Sequence, residues 1–264
     1  MDTRDAVVAL AAARRERRTI DPFTDTHPDL DEAWGYAVQD LDLADRLAAG
    51  ERSIGMKLGL TSAAKQERMA VHRPVVGFLT DAHLLATGEV ARRLDSWVQP
   101  RIEPEIAFVT AVDLGGGLTR ADAPTVVASV LVAAEILDSR FTGYRFRLPD
   151  VLADATSAAG VLLGEPRPVG DLDLASLACR VEVDGVLEHE ATGAAVLGDP
   201  WLALVELSAH LGRRGTMLPA GSLVLAGALT DAVPLTAGRR YRLVVDGLGE
   251  IVVDLLGAVG AVSP

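Results

Sequence analysis

Val98-Gln99-Pro100-Arg101-Ile102-Glu103-Pro104-Glu105-Ile106-Ala107-Phe108-Val109 reads as a buried strand that carries two carboxylates. Side chains at i and i+2 of a strand share a face, so Glu103 and Glu105 lie roughly 7 Å apart along one surface, with Ile102, Pro104 and Ile106 on the other. A third acid, Glu135, interrupts the apolar run 130–137. Desolvating an unpaired carboxylate is costly, so three converging acids either take up protons or collect a cation. An all-oxygen ligand set favours magnesium, manganese or calcium over zinc or copper. The other reading pairs Glu105 with Arg101 or another arginine at a strand end and leaves Glu135 on a helix surface. The residues alone leave both open.

Working outward, glycine and proline punctuate short apolar segments at 54–60, 75–80, 102–110, 131–137, 178–188, 222–227, 240–245 and 249–255, a strand-rich pattern. Asp184-Gly185 is a two-residue hairpin signal, and Asp246-Gly247 marks another turn. Residues 2–18 predict an alanine-rich helix with leading acids and trailing arginines, matching the helix dipole. The acids of 29–32 offer a capping pattern for a second helix through Ala49. Asp199-Pro200 predicts an N-cap with proline at the first helical position, followed by a buried face of Trp201, Leu204, Val205, Ser208 and Leu211. In 118–137 a helix starting near Asp122 has to hand over to a strand at a point that periodicity does not locate. Gly115-Gly116-Gly117 lacks the spacing of either nucleotide fingerprint and reads as a flexible loop. The division expected is a helical N-terminal region, 1–50, and a catalytic domain, 51–264.

Composition excludes several function classes. A net charge of −12 over 264 residues argues against nucleic acid or an anionic membrane as partner. No apolar run approaches the roughly 18 residues that cross a bilayer, and residues 1–18 lack a secretory pattern, so the expected location is the cytoplasm. Cys179 is the only cysteine and reads as a buried, inert thiol. The five histidines show no metal-ligand spacing.

Of the 25 basic residues only two are lysines, Lys57 and Lys65. Arginine does not deprotonate, so a chain that otherwise writes arginine marks lysine as a candidate for proton transfer. Lys57 lies among apolar and glycine positions in Ile54-Gly55-Met56-Lys57-Leu58-Gly59-Leu60-Thr61, where burial penalises the ammonium and makes it a candidate proton donor or acceptor. An ordinary strand lysine reaching solvent is the alternative. Lys65 reads as a solvated helix residue.

Taken together, these residues resemble the fumarylacetoacetate hydrolase superfamily, in its branch of 2-oxopent-4-enoate hydratases and 4-oxalocrotonate decarboxylases. The resemblance runs from about residue 30 to the end. It rests on Gly55-Met56-Lys57-Leu58-Gly59-Leu60-Thr61-Ser62, Gly77-Phe78-Leu79-Thr80-Asp81, Gln99-Pro100-Arg101-Ile102-Glu103-Pro104-Glu105-Ile106 and Glu135-Ile136-Leu137-Asp138-Ser139-Arg140. Ala153-Asp154, Gly193-Ala194-Ala195-Val196-Leu197-Gly198 and Pro219-Ala220-Gly221-Ser222 continue it.

The resemblance implies an α+β fold, a mixed β-sheet roll or barrel core with flanking helices, assembled into homo-oligomers and able to pair with a hydratase. It implies Mg2+ or Mn2+ on Glu103, Glu105 and Glu135, proton handling by Lys57 and Asp81, and substrate contacts from Thr61, Arg140, Ser157 and Thr230. The segment 141–148 looks more like the decarboxylases, which implies decarboxylation of a 2-oxo-enedioate to a 2-hydroxydienoate through a metal-bound dienolate. A 2-oxopent-4-enoate hydratase or a related carbon–carbon hydrolase is the alternative, and a catalytically silent assembly partner is a third reading. Ala155, Asp199 and Ala226 stand where relatives usually carry asparagine, histidine and threonine, which implies a changed substrate.

Overall fold

The computed structural model describes residues 1–257. Asp2 accepts from the backbone N–H groups of Arg4 and Asp5 and opens α1 (Thr3–Glu16), which ends at Arg17 in the left-handed region. After α2 (Phe23–Thr26), Asp31 caps α3 (Glu32–Ala48) through the Trp34 N–H. The chain continues through β1 (Ser53–Gly59), α4 (Ala63–Arg68), β2 (Val75–Thr80), α5 (Thr87–Arg93), β3 (Arg101–Thr110), β4 (Val127–Leu137), α6 (Leu148–Ala153) and β5 (Ala158–Leu163). It closes with β6 (Ala178–Val183), β7 (Val186–Thr192), α7 (Trp201–Arg214), β8 (Leu223–Ala228), β9 (Val233–Pro234), β10 (Arg240–Val245) and β11 (Gly249–Asp254).

Among the described residues the strands form two sheets. The larger runs β2-β1-β8-β3-β4-β5, with β9 added beside β3; the smaller runs β11-β10-β6-β7. Only β1 and β8 pair in parallel within the larger sheet, so it is mixed. It also curls. Its two ends approach each other, and Leu85 N–H donates to the Val161 carbonyl of β5. The fold is therefore α+β, a curled half-barrel with flanking helices.

The alternation of β3 and β4 sorts two cores. Ile102, Ile106 and Phe108 of β3, with Val130, Val132, Ala134 and Ile136 of β4, enter the main core shared with the smaller sheet and α7. The odd-numbered residues face the hollow of the half-barrel, where Ala107, Leu131 and Ala133 pack with Leu79, Ala158, Val161 and Leu225. Glu103, Glu105 and Glu135 are odd-numbered too. Burying them in the hollow follows from placing the isoleucines in the main core, because a strand has only two faces.

Pro104 sits inside β3, where a missing N–H normally breaks a ladder. Its carbonyl accepts from Leu229 N–H at 2.9 Å, so its nitrogen faces the same edge, the gap between the end of β8 at Ala228 and the start of β9 at Val233. The proline therefore costs no strand-to-strand hydrogen bond. The other edge keeps one register from Arg101 to Val109, with Glu103 opposite Glu135 and Glu105 opposite Ala133.

Several expectations change. The helix expected near Asp122 is a single 3-10 turn, Ala123–Val126, and β4 begins at Val127. Segment 158–163 is a strand that the apolar spacing did not mark. Gly116 belongs to a tight crossing rather than a loose loop: a Cβ there would lie 2.8 Å from the Gly212 Cα of α7, and Ser208 Oγ donates to the Gly115 carbonyl at 2.6 Å. Helix α7 starts at Trp201, one residue later than the proline rule places it, and Val205 is only half-buried on it.

Candidate metal centre and active site

The β3–β4 register sets Glu103 directly opposite Glu135, and Glu105 joins them two residues along β3. One carboxylate oxygen from each lies within 4.8 Å of the other two, and all three side chains are buried. Glu105 Oε2 accepts the Gly227 N–H at 2.7 Å. Its Oε1 and both oxygens of Glu135 have no hydrogen-bond partner. No arginine satisfies these atoms, and Glu135 lies on a strand, so the geometry departs from the reading in which arginines neutralise the acids.

Electrostatics reflect the crowding. Burial, then the charges of Glu135 and Glu103, hold the Glu105 carboxyl well above the ordinary carboxylate range. Burial pushes Glu135 up to about 7, with Lys57 opposing and Glu103 adding to the rise. Glu103 is also raised by burial, while the Lys65 and Lys57 ammonium groups pull it back. Three acids that resist ionisation, with orphaned oxygens converging on one point, are a set whose charge a divalent cation would relieve. The residues fit a hard divalent ion.

Lys57 enters from β1, beside Glu135. Its Nζ approaches Glu135 Oε1 to 2.6 Å, an ion contact without hydrogen-bond alignment, and donates to the Thr156 carbonyl at 3.2 Å. Thr156 belongs to an unusual turn: Ala155, Thr156 and Ser157 all have positive φ, at 47°, 55° and 63°. Three consecutive non-glycine residues in the left-handed region store strain of about 1–2 kcal/mol each. The turn leans on Gly77 of β2, where a Cβ would come within 2.4 Å of Thr156 Oγ1 and 3.2 Å of Lys57 Cγ. Gly77 thereby admits both the turn and the lysine stem.

The other candidate residues divide. Thr61 is buried against Gly227, whose φ of +114° leaves room for no side chain: a Cβ would stand 2.2 Å from Thr61 Oγ1. Thr61 is thus one residue contact away from Glu105. Thr230 is half-buried on the segment beyond β8, its hydroxyl donating to the Asp231 carbonyl at 3.0 Å. Ser157 Oγ bonds Asp154 at 3.3 Å, behind Lys57.

Arg140 is fastened structurally: its guanidinium pairs with buried Asp154 through Nε, with the Asp138 carbonyl through one terminal nitrogen and with the Asp154 carbonyl at 2.9 Å through the other. These bonds give each guanidinium nitrogen a protein partner and use three of its five N–H groups, and the side chain is buried. Asp81 stands outside the cluster. It accepts from Arg52 N and Nε, both at 2.9 Å, at the end of β2, about 13 Å along the strand from the Gly77 that pairs with Lys57.

Lys65, read from sequence as a solvated helix residue, lies on α4 and is partly exposed, and its charge pulls Glu103 down. Both lysines of the chain therefore border the acidic cluster. Their rarity was the signal that marked Lys65; its helix pattern hid it. Gly227 and Thr156, which contribute only backbone groups, gave no sequence signal.

A family model for the fumarylacetoacetate (FAA) hydrolase C-terminal domain matches residues 52–255. The chain belongs to the fumarylacetoacetate hydrolase family. Within it, the chain is 37% identical over 243 residues to 2-hydroxyhexa-2,4-dienoate hydratase of Comamonas testosteroni, covering 91% of this chain and 92% of that protein. It is 36% identical over 255 residues to 4-oxalocrotonate decarboxylase of Pseudomonas sp. strain CF600, covering 94% and 96%. Among solved structures, 4-oxalocrotonate decarboxylase from Pseudomonas putida G7, complexed with magnesium and adipate, superposes with a TM-score of 0.86 at 29% identity over 95% of each chain.

Proposed function

We propose that this family member is a divalent-metal-dependent lyase of 2-oxo acids, acting as a decarboxylase on a 2-oxo-enedioate such as 2-oxohex-3-enedioate. The observation that carries the reading is the buried Glu103–Glu105–Glu135 cluster with unpartnered oxygens beside Lys57. Decarboxylase relatives at comparable identity, one of them solved with magnesium and a six-carbon diacid, support it.

Glu103, Glu105 and Glu135 would hold the ion, Mg2+ or Mn2+, which supplies Lewis acidity toward the 2-oxo and adjacent carboxylate oxygens. The rest falls to the chain's own groups. The apolar wall of Ala107, Leu131, Ala133 and Leu225 limits water in the hollow and strengthens every charge interaction there. Loss of the distal carboxylate breaks one carbon–carbon bond and releases carbon dioxide; the electron pair runs through the conjugated chain to the 2-oxygen. One proton then completes the 2-hydroxydienoate. Lys57 Nζ, aimed by the Thr156 carbonyl, is the proton carrier at that atom. Gly227 N–H fixes Glu105 Oε2 and leaves Oε1 as the oxygen that would serve a bound ion.

Hydration of 2-oxopent-4-enoate is the second reading, favoured by hydratase relatives of equal similarity. The same residues serve it, with water added across the remaining double bond. Incubation with 2-oxohex-3-enedioate and magnesium decides between them, by carbon dioxide release against formation of a hydrated 2-oxo acid. Activity surviving in Glu103→Gln would refute the metal scheme for both. A cytoplasmic homo-oligomer belongs to the same reading, and the exposed Val186 and Leu187 on the edge strand β7 support the oligomer.

A further inference from the structure

Lys65 is the cationic group that this chemistry leaves unused. It rides on α4, whose first turn is capped by Ser62 Oγ accepting from Lys65 N at 3.3 Å, and whose Gln66 side chain reaches back to the Leu60 carbonyl at 2.9 Å. The helix is thus tied to the end of β1, directly after Thr61, which packs on Gly227. Across from it, the Leu229 N–H bond to the Pro104 carbonyl holds the segment leading to Asp231 over the Glu103 end of the cluster. Lys65 Nζ stands 3.9 Å from Asp231 Oδ1, and the Asp231 side chain is 82% exposed. Such a pair is weak and readily exchanged, because solvent screens it.

The two lysines reach this part of the fold from different elements, β1 and α4. Lys57 is buried at the Glu135 side and engaged by Glu135 and Thr156. Lys65 is partly exposed, and its partner Asp231 lies two residues beyond Leu229, which is held on the carbonyl of Pro104, the chain neighbour of Glu103. A six-carbon diacid spans roughly 6 Å between its carboxyl carbons.

Resting on the reading of the site as one for 2-oxo acids, we infer that Lys65 is a specificity-determining residue that exchanges Asp231 for the distal carboxylate of a dicarboxylic substrate. An ammonium at the rim favours a diacid over the monoacid of the same length, because the monoacid would put an apolar end against a charge.

The test uses the magnesium-loaded protein in two assays: calorimetric titration with adipate and with hexanoate, and steady-state turnover of 2-oxohex-3-enedioate. Wild type, Lys65→Met and Lys65→Arg are compared. The expected result for Lys65→Met is adipate binding weakened roughly tenfold and KM for the enedioate raised by a similar factor, with kcat little changed. Hexanoate binding stays put, and Lys65→Arg recovers most of the adipate affinity. Equal adipate affinity in wild type and Lys65→Met overturns the inference, as does a parallel loss for hexanoate. Should wild type turn over no 2-oxo acid, the proposed function fails, while the adipate and hexanoate titrations still decide the role of Lys65.

Discussion

Replacing Glu135 by glutamine tests whether the carboxylate cluster is under the electrostatic load that its geometry implies. In the metal-free fold this carboxyl is held at about 7 against an ordinary 4.5. Between those values the unfolded chain has released the proton while the fold retains it. The fold then binds more protons, so the contribution to stability falls as pH rises through that window and levels off above about 7. At about 1.4 kcal/mol per pH unit the loss is about 3 kcal/mol.

The total stability would conceal this slope, because burial drives His83 down to about 3 and His210 down to about 4. Both imidazoles are protonated on unfolding below about 6.5, which makes stability rise with pH over an overlapping range. The histidines are common to both proteins, so they cancel in the difference. Urea unfolding followed by circular dichroism, in chelator, from about pH 4 to about pH 8, gives the wild-type stability minus that of Glu135→Gln. That difference is expected to drop by at least about 3 kcal/mol as pH rises from about 4.5 to about 7, because the substitution also relieves Glu105 of one repelling charge. A constant offset from leaving Lys57 without its partner does not affect the slope. A flat or rising difference would refute the reasoning.

Magnesium is expected to raise the thermal midpoint of wild type, by about 2.7 kcal/mol of stabilisation at a hundredfold excess over its Kd, and to leave Glu105→Gln unmoved; equal shifts in differential scanning fluorimetry would remove Glu105 from the ligand set. Ala155→Asn relieves a non-glycine left-handed residue at φ 47°, and a gain of about 1 kcal/mol in chemical unfolding is expected; a lower midpoint contradicts the assignment of strain. Gly227→Ala forces a Cβ onto Thr61 and displaces the N–H that holds Glu105, so a cost of about 2 kcal/mol together with weaker magnesium binding is expected by calorimetry. Magnesium affinity equal to wild type would break that link. Arg140→Met strands Asp154 without a counter-charge and should cost about 3–5 kcal/mol in unfolding experiments; a change under about 1 kcal/mol would free the guanidinium for a substrate role.

The acidic strand was readable because carboxylates at every second position of an apolar run violate the hydrophobic rule on one face only. That violation marked the strand, its face and the ligand candidates at once. Lys57 was legible for the same reason, as a charge among glycines and apolar residues. What failed to show depended on long-range partners. Nothing in Arg140 itself reveals that Asp154, fourteen positions later, absorbs its fork, and nothing in Asp81 reveals that Arg52 claims it. The left-handed turn at 155–157 was invisible because its residues, alanine, threonine and serine, do not ask for that conformation. Strand β5 follows directly from that turn, so no glycine or proline marks its start, although Gly164 marks its end.

The proline in β3 separates two jobs that most sheets combine. Since its nitrogen seeks no partner, the 230–232 stretch can be lengthened, shortened or recharged without unzipping the β3–β4 ladder that spaces the three glutamates. The spacing of the carboxylates is fixed on one side of the strand, and the segment beside it is free to diversify on the other.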